Sequence, residues 1–302
     1  KIRQLVADEF GIGPEQVLLM STSTEKNHNT SPTAASAGTD LNGAAAIAAC
    51  QQIKERMADF AAELFADSQA GLVKAPDQVR FVEGHLWDLR IADPAHRIPF
   101  EAFCNQARRE RVDLGARGFY ATPGVDFNRE TGRGNPFFYF TMGVAATEVV
   151  IDRFTGDLTL ERVDLLMDVG QMINPGVDRG QVIGGLIQGI GWCTTEELRY
   201  DQTGRLLTTG PTTYKIPNVT DLPRTLNVAF LENPKHQVNV RLSKAVGEPP
   251  LLLGISAWAA VKHAMSQLNP DQIARLKLPA TNEEILGCLT RLTADAGKDS
   301  PY

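Results

Sequence analysis

Glu248 is the carboxylate whose neighbours in the sequence best suit acid–base chemistry. It lies in KAVGEPPLLLG (residues 244–254), between Gly247 and the pair Pro249–Pro250, directly before an apolar run. The prolines fix the backbone, and the glycine permits the close approach of a ligand. The positive end of a following helix would favour the ionised carboxylate, whereas burial beside the apolar run would oppose it. Glu248 is therefore a candidate general base, although the same position suits a residue that caps the helix.

The segment NTSPTAASAGTDLNGAAAIAAC (29–50) contains the second group of candidate binding residues. The hydroxyls of Thr33, Ser36 and Thr39 and the main-chain N–H groups around them precede an alanine-rich helix, predicted at about 42–65. Such a loop can bind an anion or a polar ring system. A surface loop that caps the helix is the alternative interpretation.

Glycines dominate the segment GQVIGGLIQGIGW (180–192). Their spacing is not GxGxxG, and the segment does not lead from a strand into a phosphate-binding turn, so a dinucleotide site is rejected. The glycines instead predict a helix at about 177–192 that packs very closely against a neighbouring element. Gln181 and Gln188 are the amide side chains of this helix.

Strands and helices must position these groups. The predicted set comprises a hairpin at 78–91 around Glu83–Gly84, a helix at 100–109, paired strands at 137–170 around a turn at 155–157, a hairpin around Gly204, strands at 225–232 and 237–242, and helices at 251–267 and 282–292. Because these elements follow no strict βαβ order, the sequence predicts an α+β fold with mixed sheets and packed helices.

The overall composition excludes several classes of partner. The net charge is −6, so the chain has no general positive field to attract nucleic acid or an acidic membrane surface. The longest apolar stretch, at about 249–261, is shorter than the roughly 20 residues that cross a bilayer. The chain begins at Lys1 on a helix-like segment, which favours a part of a longer protein.

The cysteines suggest neither a metal site nor a cluster site. Cys50, Cys104, Cys193 and Cys288 are far apart and form no CxxC motif. Neither a zinc site nor an iron–sulfur site is therefore predicted from them. Free thiols in a cytoplasmic protein are the favoured interpretation, with a disulfide as the alternative.

The segment SKAVGEPP (243–250) resembles the one that carries the active-site glutamate of the xanthine dehydrogenases, which belong to the molybdenum hydroxylase family. The segments 29–50 and 180–192 stand in the same order as in that family, as do FFYFTMGVAATEV (137–149) and GPTTYKIP (210–217). The resemblance extends over about residues 1–292 and is to the C-terminal part of a molybdenum-binding subunit of the bacterial type.

This resemblance implies a role for each candidate residue. Glu248 is implied to be the catalytic base, and Gln181 to hydrogen-bond the molybdopterin, whereas Gln188 is implied to be structural. The residues implied to lie against the molybdenum and the pterin are Thr33, Ala34, Ala35 and Ser36. Members of the animal type carry a further serine where Gly38 stands here. The metal is implied to be held by the pterin dithiolene, with no protein side chain as a ligand.

The implied reaction is the hydroxylation of a purine, from hypoxanthine to xanthine and on to urate, with water as the source of oxygen. Electrons are implied to pass through 2Fe–2S clusters and FAD to NAD⁺, all on partner segments. The implied partners are the upstream half of the molybdenum subunit and an iron–sulfur and FAD subunit, in a cytoplasmic hetero-oligomer. Residues 1–302 would form the C-terminal part of the molybdopterin-binding domain, with a subdivision near 110–136.

Two alternatives remain open at this point. A hydroxylase of aldehydes or N-heterocycles would share the glutamate, so the SKAVGEPP segment does not select the substrate. A non-catalytic structural or assembly fragment would bind neither pterin nor substrate by itself. Activity on xanthine against an aldehyde tests the first alternative, and molybdenum analysis with and without the upstream half tests the second.

Overall fold

Two units, each formed by separate parts of the chain, make up the fold. The computed structural model describes residues 1–26, 33–233, 235 and 238–296. The first unit comprises Lys1–Tyr139 and Val238–Ser243, and the second comprises Phe140–Gln237 and Lys244–Tyr302. The chain thus returns to the first unit directly before the segment that contains Glu248.

The long helix α2 is the main element of the first unit. The helices and strands of this unit are α1 (Ile2–Phe10), α2 (Gly38–Ser68), β1 (Val79–Val82), β2 (His85–Asp88), β3 (Ile98–Pro99), α3 (Phe100–Arg109), β4 (Asp126–Asn128) and β5 (Arg133–Asn135). The predicted hairpin is confirmed, because β1 and β2 pair antiparallel with Val82 opposite His85. Glu83 and Gly84 form its turn with φ of 51° and 72°, which matches the twist of the flanking strands.

One side of α2 forms the core of the first unit. Met57, Ala61 and Phe65 follow one another at four-residue spacing and are at most 2% exposed, so they lie along one side of the helix. Phe103 of α3 and Leu86 of β2 are fully buried in the same cluster. α3 has its predicted bounds, whereas α2 is longer than predicted at both ends.

A three-stranded mixed sheet is the centre of the second unit. The elements of this unit are β6 (Met142–Ile151), β7 (Leu158–Asp168), α4 (Pro175–Thr194), β8 (Thr225–Phe230), α5 (Pro249–Leu252), α6 (Ile255–Ser266) and α7 (Asn282–Ala296). β7 lies between the other two strands, antiparallel to β6 and parallel to β8. A parallel pair requires a crossover connection, and α4 lies in that connection. The predicted α+β fold with a mixed sheet is confirmed.

Two apolar clusters stabilise the second unit. Val163, Leu165 and Met167 alternate along β7 and are at most 3% exposed, so they lie on one face of the sheet. Val182 and Leu186 of α4 are fully buried in the same cluster. The other cluster joins α6 to α7. The strand that ends at Asp168 is therefore held by the core of its unit.

The prediction of a strand at 237–242 is wrong for residues 240–242. Val240–Leu242 forms a 3₁₀ turn, in which Arg241 and Leu242 have φ of 49° and 58°. An extended strand does not accommodate these angles. Residue 237 lies outside the described residues.

The helix predicted at 251–267 is divided into α5 and α6. Around Gly254, several N–H groups bond to carbonyls three residues earlier rather than four, which is the tighter hydrogen-bond pattern of a 3₁₀ helix. The hairpin predicted around Gly204 is present only as one isolated bridge between Tyr200 and Leu206. The helix at the end of the chain, α7, begins at its predicted residue.

Candidate active site

Glu248 lies at the start of α5, and its side chain is exposed. Its backbone has the helical φ and ψ of −88° and −38°, and its carbonyl accepts a hydrogen bond from Leu251 N at 3.0 Å. The side chain makes no capping hydrogen bond to α5, so the capping interpretation is wrong. Burial beside the apolar run is not found either. The position therefore presents a solvent-accessible carboxylate whose backbone is fixed.

Lys244, which precedes Glu248 in the same segment, forms a buried ion pair with Asp168 at the end of β7. The distance from Lys244 Nζ to Asp168 Oδ2 is 2.6 Å, and the two side chains are 6% and 7% exposed. Lys244 Nζ also donates to the Phe140 carbonyl at 2.9 Å, and Lys244 N donates to the Val169 carbonyl at 2.9 Å. Residues 244–254, which we call the Glu248 segment, are thus attached to the end of β7 through both their main chain and a side chain.

Asp168 accepts hydrogen bonds from three neighbours. Lys244 Nζ and Asn233 Nδ2 donate to Oδ2, and Gly170 N donates to Oδ1 at 3.0 Å. Burial alone would raise the pKa of Asp168, but the hydrogen bonds outweigh burial and lower the pKa below its ordinary value. Asp168 is therefore ionised at neutral pH, and the contact with Lys244 is a charge-assisted one.

The glycines of α4 bring this helix against the Glu248 segment. A Cβ atom on Gly185 would lie 2.5 Å from the Gly247 carbonyl oxygen, and one on Gly189 would lie 2.0 Å from the Leu251 carbonyl oxygen. A Cβ atom on Gly254 would lie 2.3 Å from the Gly189 carbonyl carbon. The backbones approach this closely because no side chain lies between them. The prediction of a closely packed glycine helix is confirmed, and its neighbour is the segment that carries the proposed base.

Gln181 is exposed on α4, one turn before Gly185 on the same side of the helix. Because Gly185 contacts Gly247, the residue next to Glu248, the second unit places Gln181 and Glu248 on two segments that are packed together. Gln188 is also exposed on α4.

The loop before α2 contains the other predicted site residues and belongs to the first unit. Thr33, Ala34 and Ala35 are exposed, and Ser36 is half-buried. Ala35 and Ser36 both have φ of 55°, a left-handed conformation that is uncommon outside glycine. α2 then begins after Ala37, which provides no side-chain cap. The start of the 29–50 motif, residues 29–32, lies outside the described residues.

A hydrogen-bond network in the first unit surrounds Asp40 in the first turn of α2. Tyr139 Oη donates to Asp40 Oδ2 at 2.5 Å, and Asn239 Nδ2 donates to Asp40 Oδ1 at 2.8 Å. Asn239 Nδ2 also donates to the Ser243 carbonyl at 3.0 Å, whereas the buried Asn239 Oδ1 has no hydrogen-bond partner. The network therefore leaves one buried acceptor unused, close to the start of α2.

Nothing in the packing around Gly38 requires a glycine. A Cβ atom built on Gly38 would meet Thr33 Cγ2 at 3.5 Å, an ordinary contact distance. A serine would therefore fit at this position.

The described residues contain no group of three or more His, Cys, Asp or Glu side chains that could hold a metal ion. All four cysteines are free thiols, and burial raises the pKa of Cys50, Cys104 and Cys193, which disfavours their thiolate forms. Within the same described part of the chain, no helix has the length and apolarity needed to cross a membrane.

Sequence reasoning missed Lys244, Asp168, Asn233 and Asn239. Lys244 was within the quoted motif, and its position directly before the apolar Ala245 and Val246 was the only signal of a buried charge. Its partner Asp168 is 76 residues away, and no spacing rule connects the two positions.

A family model described as a molybdopterin cofactor-binding domain matches residues 1–223. The xanthine dehydrogenase of Oryza sativa subsp. japonica is 39% identical over 305 residues, which cover 97% of this chain and 20% of that protein. The xanthine dehydrogenase/oxidase of Felis catus is 38% identical over 301 residues, again 97% of this chain and 20% of that protein. The chain thus spans about a fifth of the length of these relatives.

Two solved structures share this fold. Quinoline 2-oxidoreductase from Pseudomonas putida 86 matches with a TM-score of 0.71 and 25% identity over 96% of this chain and 35% of that chain. A Cu,Mo-CO dehydrogenase matches with a TM-score of 0.76 over 97% of this chain and 34% of that chain. Its identity of 20% supports a common fold and no more.

Proposed function

Since the chain belongs to the family of molybdopterin cofactor-binding domains, we propose that it is the part of a molybdenum-dependent hydroxylase that supplies the catalytic base, Glu248, and groups that bind the cofactor. The family predicted from SKAVGEPP is confirmed by the family model over residues 1–223 and by the identities to xanthine dehydrogenases. The observation that carries the proposal is the placement of Glu248. It is an exposed carboxylate on a segment attached to β7 at one end and packed on α4 at the other.

The chemistry of the candidate residues fits molybdopterin, which has hydrogen-bonding ring edges and a phosphate. We propose that Thr33, Ala34, Ala35 and Ser36 bind it and that Gln181 hydrogen-bonds it. The hydroxyls, main-chain groups and amide of these residues can bind such edges, and the unused acceptor Asn239 Oδ1 suits a ring N–H donor. When bound, the cofactor supplies the redox chemistry, and the protein supplies orientation and proton transfer.

The proposed reaction is the hydroxylation of hypoxanthine to xanthine and of xanthine to urate. Each step replaces a ring C–H bond with a C–O bond from water and releases two electrons and two protons. Glu248 would accept one of these protons, and its fixed backbone limits the positions that the carboxylate can take. Identities of 38% and 39% to xanthine dehydrogenases support the purine as the substrate.

The remaining parts of the enzyme are proposed to lie on other segments. Since the relatives are about five times longer than this chain, the upstream half of the molybdenum subunit and a subunit with 2Fe–2S clusters and FAD are the proposed partners, in a hetero-oligomer that reduces NAD⁺. Free cysteines suit a reducing compartment, so the proposed location is the cytoplasm.

A second candidate function is the hydroxylation of an aldehyde or an N-heterocycle. The fold match to quinoline 2-oxidoreductase, at 25% identity, favours this alternative. Steady-state rates on xanthine, an aliphatic aldehyde and quinoline distinguish the two. We expect the highest kcat/KM on xanthine, and a higher value on quinoline or the aldehyde would replace the purine in the proposal.

Glu248→Gln in the complete enzyme tests the proposal. The variant should retain molybdenum and pterin and lose turnover by about 10²- to 10⁴-fold, the usual contribution of a general base. Glu283→Gln is the matched control, because Glu283 is an exposed glutamate near the start of α7 in the same unit. It should behave like wild type. Turnover of the Glu248→Gln variant within about tenfold of wild type contradicts the assignment.

A further inference from the structure

We propose that Lys244 and Asp168 are a positioning pair that holds Glu248 in the geometry that its base chemistry requires. The inference rests on the proposed function of Glu248. Neither residue is placed at the reacting atoms, so both would act through the position of Glu248.

The contacts of Lys244 fix the start of the Glu248 segment in two ways. The main-chain N–H of Lys244 bonds to Val169 O, and its ammonium bonds to Asp168 Oδ2 and Phe140 O. Val169 directly follows β7, and Phe140 lies two residues before β6, whose first residue, Met142, is opposite Asp168. Lys244 is therefore tied to both strands at the same end of the sheet.

Both carboxylate oxygens of Asp168 accept hydrogen bonds. Asp168 accepts from Asn233 and from Gly170 N in addition to Lys244. Buried ion pairs are often no more stabilising than apolar side chains of similar volume, because removing two charges from water is costly. Stability alone therefore does not account for a charged pair here. The fixed direction of its hydrogen bonds accounts for the pair, because apolar packing cannot supply such direction.

The chain between the Lys244–Asp168 pair and the Glu248 carboxylate is short and packed. Only Ala245, Val246 and Gly247 separate Lys244 from Glu248, and Val246 is 7% exposed in the core. The Gly247 carbonyl packs against Gly185 of α4. A shift at Lys244 is therefore transmitted to Glu248 rather than absorbed by a loop, and a misplacement of about 1 Å can lower a rate about 10²-fold.

Asp164 provides a comparison on the same strand. It pairs with Arg162 at 2.7 Å and accepts from Asn227 Nδ2 at 2.7 Å, so it also has one cationic and one amide partner. Its side chain, however, is 41% exposed, and its partners belong to β7 and β8 rather than to the Glu248 segment. Asp164→Asn thus changes the same chemical group and leaves the contacts between Asp168 and Lys244 intact.

The test compares Lys244→Met, Asp168→Asn, the double variant and Asp164→Asn in the complete enzyme. Molybdenum and pterin content, Tm, KM and kcat are measured for each. The double variant removes both charges, so its Tm and cofactor content should return towards wild type while its kcat stays about 10- to 100-fold low. KM should change little, and Asp164→Asn should match wild type. Recovery of kcat together with Tm in the double variant would show a merely structural role and overturn the proposal.

Lys244→Arg keeps the test decisive if the double variant does not fold. Arginine retains the charge but has a longer, planar donor group, so it should preserve cofactor content and still lower kcat about tenfold or more. Wild-type kcat in Lys244→Arg overturns the proposal.

Combination with Glu248→Gln separates this inference from the proposed function. If Lys244 acts through Glu248, adding Lys244→Arg to Glu248→Gln should cause no further loss of kcat. Multiplicative losses would show that Lys244 acts independently, and the positioning role would be rejected. Normal turnover by Glu248→Gln alone would instead reject the proposed function of the glutamate.

Discussion

The Glu248 segment and the loop before α2 were both predicted to contain site residues, but the structure constrains them differently. The Glu248 segment is held by a buried ion pair, by two prolines and by contacts with the glycines of α4. The loop at 33–36 is largely exposed and contains two residues at φ of 55°. One region is constrained by packing, whereas the other contains backbone torsions that are unfavourable for residues other than glycine.

This difference suggests that the two regions have different roles. A base must be held at a defined distance from the reacting atoms, and packing supplies that rigidity before substrate binds. A loop that binds a cofactor through main-chain groups and hydroxyls can complete its contacts when the cofactor arrives. Substitutions in the Glu248 segment should therefore affect stability and turnover more than substitutions in the loop do.

The largest effect is expected from Lys244→Met. Asp168 would remain buried without its countercharge, so the free energy of unfolding should fall by about 3–5 kcal/mol. Urea denaturation of the full chain measures the change. Arg162→Met is the matched control, because Arg162 forms an exposed ion pair on β7, and it should leave the midpoint nearly unchanged. Equal effects of the two variants would mean that the buried pair has no special importance.

The glycines of α4 should give the next largest effect. The methyl group of Gly189→Ala would lie 2.0 Å from the Leu251 carbonyl oxygen. Overpacking of this kind lowers the free energy of unfolding by about 1–3 kcal/mol. Gly184→Ala on the same helix meets nothing within 4 Å and should instead stabilise it by about 0.5–1 kcal/mol. Opposite signs in thermal melts are expected, and a stabilising Gly189→Ala would contradict the packing described here.

The pH dependence of stability should reflect Asp168. Its pKa is lowered in the folded state, so the pair's contribution is complete above the unfolded aspartate pKa of about 3.9. The contribution is lost as the pH falls from there through the lower folded pKa. The variant with both Lys244→Met and Asp168→Asn lacks this titration, so its stability should fall less than that of wild type over the same acidic range. Parallel curves would contradict the assignment.

The smallest effect is expected in the loop. Ala35→Gly relieves the left-handed conformation and should raise the free energy of unfolding by no more than about 1 kcal/mol, because the added freedom of the unfolded chain offsets the gain. Cofactor content should be unchanged, since the main-chain groups remain. A fall in stability of more than about 1 kcal/mol would show that packing, not torsion, shapes this loop.

Local sequence patterns identified most of the elements but few of the long-range contacts. The hairpin at Glu83–Gly84, the paired strands β6 and β7 and the glycine helix α4 all depend on neighbouring residues, and each was predicted. The turn at Val240–Leu242 was missed because its apolar and polar residues alternate as in a strand.

Contacts between distant positions were not predictable from one sequence. The spacing of the α4 glycines indicated close packing but not the identity of the partner, which is the Glu248 segment. Likewise, the bonds from Asn239 and Tyr139 to Asp40 join positions that no local rule connects. Glu248 was selected by its motif, whereas its support by Lys244 and Asp168 required the structure.

The ratio of turnover to bound molybdenum, measured for Glu248→Gln and Gln181→Ala in the complete enzyme, tests the central claim most directly. The account predicts that Glu248→Gln keeps its molybdenum and loses about 10²- to 10⁴-fold in turnover per molybdenum. Gln181→Ala should bind less molybdenum but turn over at nearly the wild-type rate for each atom bound. A Glu248→Gln enzyme that loses molybdenum, yet is fully active per atom retained, would contradict the assignment of Glu248 as the base.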